Sequence, residues 1–214
     1  MCKTLIDKTL SVVMSIPILY AAFIPTMFST GVTILYLSMT KQKFFNQHDT
    51  ISCNISKLGH NFKTLTVGTL GSFFLTPTFQ EDTHFSIFDI LCYALLIELY
   101  WYILHRSFHE NKWLYRKVHK LHHQAVVTMP VDAYIMSVPE VLSLTLCFAA
   151  PAHMLNVSQS SALVVTSLYA SVGLLEHGAM PGYRFHDYHH LKQNYNYGYF
   201  LPIFDHLFGT CRVA

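Results

Sequence analysis

The residues of this chain whose type and spacing could do chemistry are its histidines, fourteen in 214 residues. Eight fall in three short runs. His105 and His109 form H-x3-H, His119, His122 and His123 form H-x2-H-H, and His186, His189 and His190 repeat the H-x2-H-H spacing. Residues three and four apart share a helical face, so each run can point its imidazoles the same way. Imidazole is a ligand for zinc, copper, iron and nickel. Eight imidazoles exceed what one ion holds, since a structural zinc takes four ligands and a catalytic zinc about three. Shared between two ions, eight or nine give about four each and leave positions open for oxygen or water. His177, in LLEHGAM, is the candidate ninth. Glu98, seven residues before His105, and Asp187, inside the last run, are candidate acceptors for a ligand's free N–H. His48, His60, His84, His153 and His206 stand apart and read as ordinary surface or core residues.

Other metal templates fit poorly. There is no H-E-x-x-H for a zinc protease. Carboxylate di-iron bundles need paired E-x-x-H motifs, and the chain has one, Glu81 to His84. G-x-S-x-G, a phosphate-binding glycine loop and C-x-x-C-H are all missing from the sequence.

The elements that must position the histidines are apolar. The chain is 52% hydrophobic and 12% charged, against about 25% charged in soluble domains, which points to a membrane protein of one domain. The formal charge of +2 gives no footprint for nucleic acid. Five scattered cysteines with no C-x-x-C spacing suit buried thiols better than a disulfide frame. The N-terminus begins like a signal peptide, but its apolar run continues to Met39, so an uncleaved anchor is expected.

Lys and Arg are missing from 9–40, 64–105 and 121–183. A membrane helix needs about 20 apolar residues. Residues 9–40 therefore hold one span, or a hairpin broken at Pro17 and Pro25. Residues 41–63 read as a polar loop or surface helix. Residues 64–105 can go out and back through the turn QEDTHF, and 133–183 form a second hairpin with its tip at HMLNVSQSS. Basic residues favour the cytoplasmic side, so all three histidine runs are expected on one cytoplasmic face. The expected architecture is all-α: an integral membrane bundle of about four to five helices under a cytoplasmic histidine-rich, metal-binding cap. Tyr100, Trp101, Tyr102, Trp113, Tyr195 and Tyr197 beside the runs read as an interfacial aromatic belt.

At these residues the chain resembles the fatty acid hydroxylase superfamily, which includes sterol desaturases, sterol methyl oxidases and sterol hydroxylases. The matching segments are ELYWYILHRSFH from Glu98 to His109, LYRKVHKLHH from Leu114 to His123, the acid of Val138-Pro139-Glu140, and FHDYHHLKQNYNYGYFLPIFDHLFGT from Phe185 to Thr210. The resemblance spans roughly residues 90–212, while the first 80 match only as generic membrane helices. It implies an endoplasmic reticulum membrane oxygenase with two non-haem iron ions. O2 would be activated with electrons from NAD(P)H through cytochrome b5 or a reductase. The implied iron ligands are His105, His109, His119, His122, His123, His186, His189 and His190, with His177 at the position of the family's extra histidine. Purified samples could carry zinc instead. Residues 1–80 would be a membrane anchor and 81–214 the catalytic region of a single domain.

The resulting expectation is a lipid hydroxylase or desaturase acting on a sterol or fatty acyl C–H bond. The rival reading is a membrane metal transporter or metal-buffering protein. Transporters set ionisable ligands inside spanning helices, whereas these histidines lie at or beyond the ends of the apolar legs.

Overall fold

The computed structural model describes residues 27–75, 86–178, 180 and 183–212, and all their regular structure is helical. The helices are α1 (Met27–Thr40), α2 (Ile51–Leu75), α3 (Ile87–Glu110), the short α4 (Lys112–Leu114), α5 (Val138–Leu155), α6 (Gln159–Leu175), α7 (Phe185–Lys192) and α8 (Ile203–Leu207). The α4 turn runs straight into a π-helical turn at Tyr115–His119, a widened turn often found at functional sites. Most of the expected N-terminal span, the QEDTHF turn and the pair Glu81 and His84 lie outside the described residues.

Local chemistry explains the helix ends. Ser86 caps α3 by accepting from the Asp89 N–H. Asn111 ends α3 and also starts α4, its side chain accepting from the N–H groups of Trp113 and Leu114. Ser137 caps α5, with Pro139 in the first turn where its missing N–H costs nothing. The helical hairpin between α5 and α6 turns at Asn156, in the left-handed region at φ 50°, before the cap Ser158. Its tip is tighter than expected, because α5 continues to Leu155. The polar stretch 41–63 is also corrected: from Ile51 it forms one helix with the apolar residues that follow. Lys57 anchors that polar half to Asp49 and Asp132 at 2.7 and 2.8 Å, and Asn61 donates to the Val131 carbonyl.

The core packs α3 against α5 and α6 around Tyr93, Ile97, Trp101, Cys147, Val165, Tyr169 and Tyr199. The apolar surface that stays outside is ordered. On α3 the residues Ile87, Leu91, Leu95 and Ile103 recur at multiples of four and are exposed, as are Val138, Leu142 and Leu146 on α5. The buried polar groups sit inside: Glu98, His105 and Glu140 are each 0% exposed. Both α3 and α5 are long and apolar enough to cross a membrane; α1 and α6 are apolar but shorter. Of the expected aromatic belt, Trp101, Tyr102 and Tyr197 are buried core residues, and Trp113 is exposed.

One loop, Gln193 to Leu201, is held by three buried polar side chains. Glu98 accepts the N–H groups of Tyr199, Phe200 and Leu201 and the Tyr169 hydroxyl, at 2.9 to 3.1 Å. Asp205 accepts from the N–H groups of Tyr197 and Gly198 and from Thr210. Asn196 bridges Phe185 and Arg212. At Gly198 a Cβ would meet Asp205 Oδ2 and the Leu201 carbonyl at 2.9 Å, so only glycine fits. Removing the Glu98 carboxylate strands three buried N–H donors, each costing about 1–3 kcal/mol when unpaired. Glu98→Ala is expected to destabilise the fold by roughly 3 kcal/mol or more, read as a lowered thermal unfolding midpoint in detergent.

Candidate metal centre

Nine imidazoles from α3, the π-turn, the 3-10 turn His122–Gln124, the end of α6 and α7 converge at one end of the helices. They form two groups. His105, His109, His119, His123 and His189 make the first, and His122, His177, His186 and His190 the second; within each group the candidate ligand atoms lie within 4.8 Å of one another. Eight of the nine are buried and His109 is half-buried. The runs do not each serve one group. Neighbouring residues on a helix diverge by about 100°, so His122 joins the second group while His123 joins the first. In the same way His189 joins the first group while His186 and His190 join the second.

Five of the rings have their proton assigned by an acceptor at Nδ1. His105 donates to the Tyr197 carbonyl at 2.8 Å, His189 to the Tyr195 carbonyl at 2.6 Å and His190 to the Ala125 carbonyl at 2.9 Å. His177 donates to the Gly173 carbonyl at 2.6 Å, and His119 to Glu140 Oε1 at 2.7 Å. A carbonyl only accepts, so Nδ1 carries the hydrogen and Nε2 is left as a lone pair. The consequence is plainest at His105 and His119, whose Nε2 atoms stand 3.0 Å apart. Both are lone pairs, and no hydrogen can lie between them. Further Nε2 contacts link His123 to His119 at 2.9 Å and to His189 at 3.1 Å. In the second group His186 meets His177 and His190, both at 3.1 Å. Where both nitrogens are lone pairs, as at His105 and His119, they repel at this distance unless a cation lies between them.

Burial keeps the rings neutral. Desolvation drives His119, His122, His123, His186 and His189 well below their ordinary value, with neighbouring imidazoles adding to it. The same cause brings His177 down to about 3 and His190 to about 4. An all-nitrogen, neutral donor set of five and four fits two first-row transition ions.

Two expected acceptors do other work. Glu98 is about 10 Å along α3 from His105 at 1.5 Å per residue, out of reach of its ring, and holds the Tyr199–Leu201 backbone instead. That loop carries the Tyr195 and Tyr197 carbonyls, so Glu98 supports the rings at one remove. Asp187 points away from the imidazoles of its neighbours. It accepts from Thr128 Oγ1 and from the Gly178 N–H and faces Arg184 Nε at 3.8 Å. Gly178, at φ 76°, has no room for a Cβ, which would meet the Thr128 carbonyl at 2.2 Å. The carboxylate that does reach an imidazole is Glu140, whose other oxygen has no partner among the described residues. Glu176 Oε1 faces His186 Nδ1 at 3.9 Å, beyond hydrogen-bonding range. The backbone acceptors Tyr195, Tyr197, Ala125 and Gly173 have no side-chain signature from which a sequence reading could find them.

The profile of the family described as fatty acid hydroxylase matches residues 90–210, more than half of the chain. The chain belongs to the fatty acid hydroxylase family. A protein of Arabidopsis thaliana named as a Delta(7)-sterol-C5(6)-desaturase is 27% identical over 157 residues, 64% of this chain and 54% of that protein. Fatty acid hydroxylase domain-containing protein 2 of Homo sapiens is 30% identical over 142 residues, 63% of this chain and 40% of its own length. Cholesterol 25-hydroxylase of Rattus norvegicus is 33% identical over 129 residues, 53% of this chain and 42% of that protein. The chain thus spans about half or less of the curated relatives it matches. No solved structure matches it.

If each group holds its own ion, His186→Ala is expected to lower bound metal from about two ions per chain to about one, measured by elemental analysis. Loss of the acceptor in Glu140→Ala is expected to weaken binding by roughly 10- to 100-fold. The seven depressed histidines make the metal-free fold acid-sensitive. Unfolded, they take up protons near pH 6.5; folded, they resist until about pH 4 at His190 and about 3 at His177. Their contribution to stability is therefore complete above about pH 6.5 and falls as the pH drops through that window. Glu176 and Asp187, raised by burial, run the other way but are two groups against seven. Apo protein is expected to unfold on acidification from pH 6.5 toward 4, and bound metal to shift that transition to lower pH.

Proposed function

We propose that this chain is a membrane-bound, di-iron lipid oxygenase that hydroxylates or desaturates a sterol or fatty acyl C–H bond. The observation that carries the reading is the pair of buried imidazole groups in a chain of the fatty acid hydroxylase family. In this reading His105, His109, His119, His123 and His189 hold one iron, and His122, His177, His186 and His190 the other. Bound iron would supply the O2-derived oxidant needed to attack an unactivated C–H bond, chemistry beyond any amino-acid side chain. The electrons come from NAD(P)H through cytochrome b5 or a reductase.

The protein's own part is to hold and orient. The carbonyls of Tyr195, Tyr197, Ala125 and Gly173 and the Glu140 carboxylate keep Nδ1 protonated, so that Nε2 stays free for metal. The near-complete burial of the rings excludes water from the chemistry.

The membrane setting rests on exposed apolar stripes along α3 and α5, on the two helices of spanning length and on the family. In the full proposal four to five helices cross the endoplasmic reticulum membrane. The N-terminal 80 residues serve as the anchor and 81–214 form the catalytic region. Lys112, Arg116, Lys117, Lys120, Arg184 and Lys192 lie in the segments that carry the histidine runs, which favours a cytoplasmic metal site.

The test is lipid profiling of cells expressing the wild type beside His122→Ala. An oxidised or desaturated lipid is expected only with the wild type. Identical profiles from two well-expressed proteins would sink the reading, and metal flux into vesicles without lipid product would favour a transporter.

A further inference from the structure

Between α2, α5 and α6 lies a cavity of about 170 Å³, with Tyr199 among its lining residues. Apolar side chains, among them Leu65, Met136, Val141 and Phe148, make up much of its wall. The rest of the wall carries many hydroxyls for a hydrocarbon site. Some of these are already committed to the helices. Thr145 donates to the Val141 carbonyl at 2.9 Å, Thr166 to the Ala162 carbonyl at 2.7 Å, and Tyr134 to the Ala170 carbonyl at 3.2 Å. Three others, Tyr199, Thr64 and Thr69, have no hydrogen-bond partner among the described residues. A hydroxyl that opens onto a cavity without a protein partner is free to exchange a hydrogen bond with a ligand.

Tyr199 also joins the cavity to the metal centre. Its ring packs on Trp101 at 5.7 Å between centroids, and Trp101 packs on His105 at 4.9 Å. Its hydroxyl lies against α6 at Gly173, where a Cβ would come within 2.6 Å. The Gly173 carbonyl is the acceptor that orients His177. A ligand atom at the Tyr199 hydroxyl is therefore one aromatic ring from the first imidazole group and one helical turn from the second.

We propose that this cavity receives an oxygen-bearing, ring-sized part of the lipid substrate, and that the Tyr199 phenol is the positioning residue that hydrogen-bonds its hydroxyl or carbonyl oxygen. The size follows from comparison with engineered cavities of about 150 Å³, which hold benzene. The inference rests on the lipid oxygenase reading and narrows it to lipids with a polar atom near the carbon oxidised. Thr64 and Thr69 present further hydroxyls to the same cavity from α2. Burial holds the phenol above its ordinary pKa, so it remains a hydrogen donor across the physiological range.

The test is equilibrium binding to the full chain in nanodiscs, with two matched probe pairs. One pair is cholesterol and its 3-deoxy analogue; the other is 1-hexadecanol and hexadecane, so that a sterol source is told from a linear one. The wild type is expected to prefer the oxygenated member of one pair by about two- to tenfold. Tyr199→Phe, which removes a single oxygen, is expected to bring that preference close to unity while bound metal stays at the wild-type level. Should Tyr199→Phe fail to fold, the double variant Thr64→Val, Thr69→Val carries the comparison, with a partial loss of preference expected. A wild type that binds each pair equally, or a folded Tyr199→Phe that keeps the full preference, overturns the inference. A preference that survives in a protein making no oxidised lipid instead overturns the oxygenase reading. Lipid oxidation without any preference overturns only the role of Tyr199.

Discussion

The constraint on which this structure depends is the crowding of neutral imidazole nitrogens in a space from which water is excluded. A lone pair facing another lone pair at 3.0 Å, as at His105 and His119, is repulsive until a cation shares it. The arrangement exists because five of the nine rings are held from behind. Carbonyls and one carboxylate fix the Nδ1 hydrogen, and the helices fix the carbonyls. In the proposed metalloprotein, metal binding and folding would then be one equilibrium: the scaffold crowds the rings, and an ion between them would remove the cost of crowding.

The scaffold solves this with an inverted distribution of polarity. Histidines and carboxylates are inside, and the α3 and α5 stripes of Ile and Leu are outside. In water such a surface is unfavourable, whereas in lipid it is the expected boundary. The loop after α7 shows how few groups hold the inner layer. Glu98 and Asp205, both fully buried, accept the five backbone N–H groups from Tyr197 to Leu201 and so keep the Tyr195–Leu201 segment in register. Two carbonyls of that segment then orient His105 and His189. A change at Glu98 is therefore felt at the rings without any contact to them.

The names of the relatives cover a sterol desaturase and a cholesterol hydroxylase. Both chemistries begin by removing hydrogen from carbon, so an imidazole set cannot separate them. In the proposed enzyme, what distinguishes one substrate or outcome from another must lie in how the lipid is held relative to the rings. The hydroxyl-lined cavity at Tyr199 is the feature of this fold suited to that task.

The family, the helical class and the histidines that come together were legible in the sequence. Side-chain type and short-range spacing are local properties, and three repeated runs of one ligand type leave few alternatives. The division of the nine into five and four was not legible, because adjacent histidines in H-H pairs diverge and only the packing of α3, the π-turn and α7 decides which group each joins. The partners of Glu98 and Asp187 were not legible for a related reason: a shared helical face says nothing about separation along the axis or about what a distant loop brings to it. The acceptors that set the proton on five of the rings are mostly backbone carbonyls, present at every residue. Tertiary structure alone selects the four that matter, because an acceptor is defined by where it ends up and not by the residue that carries it.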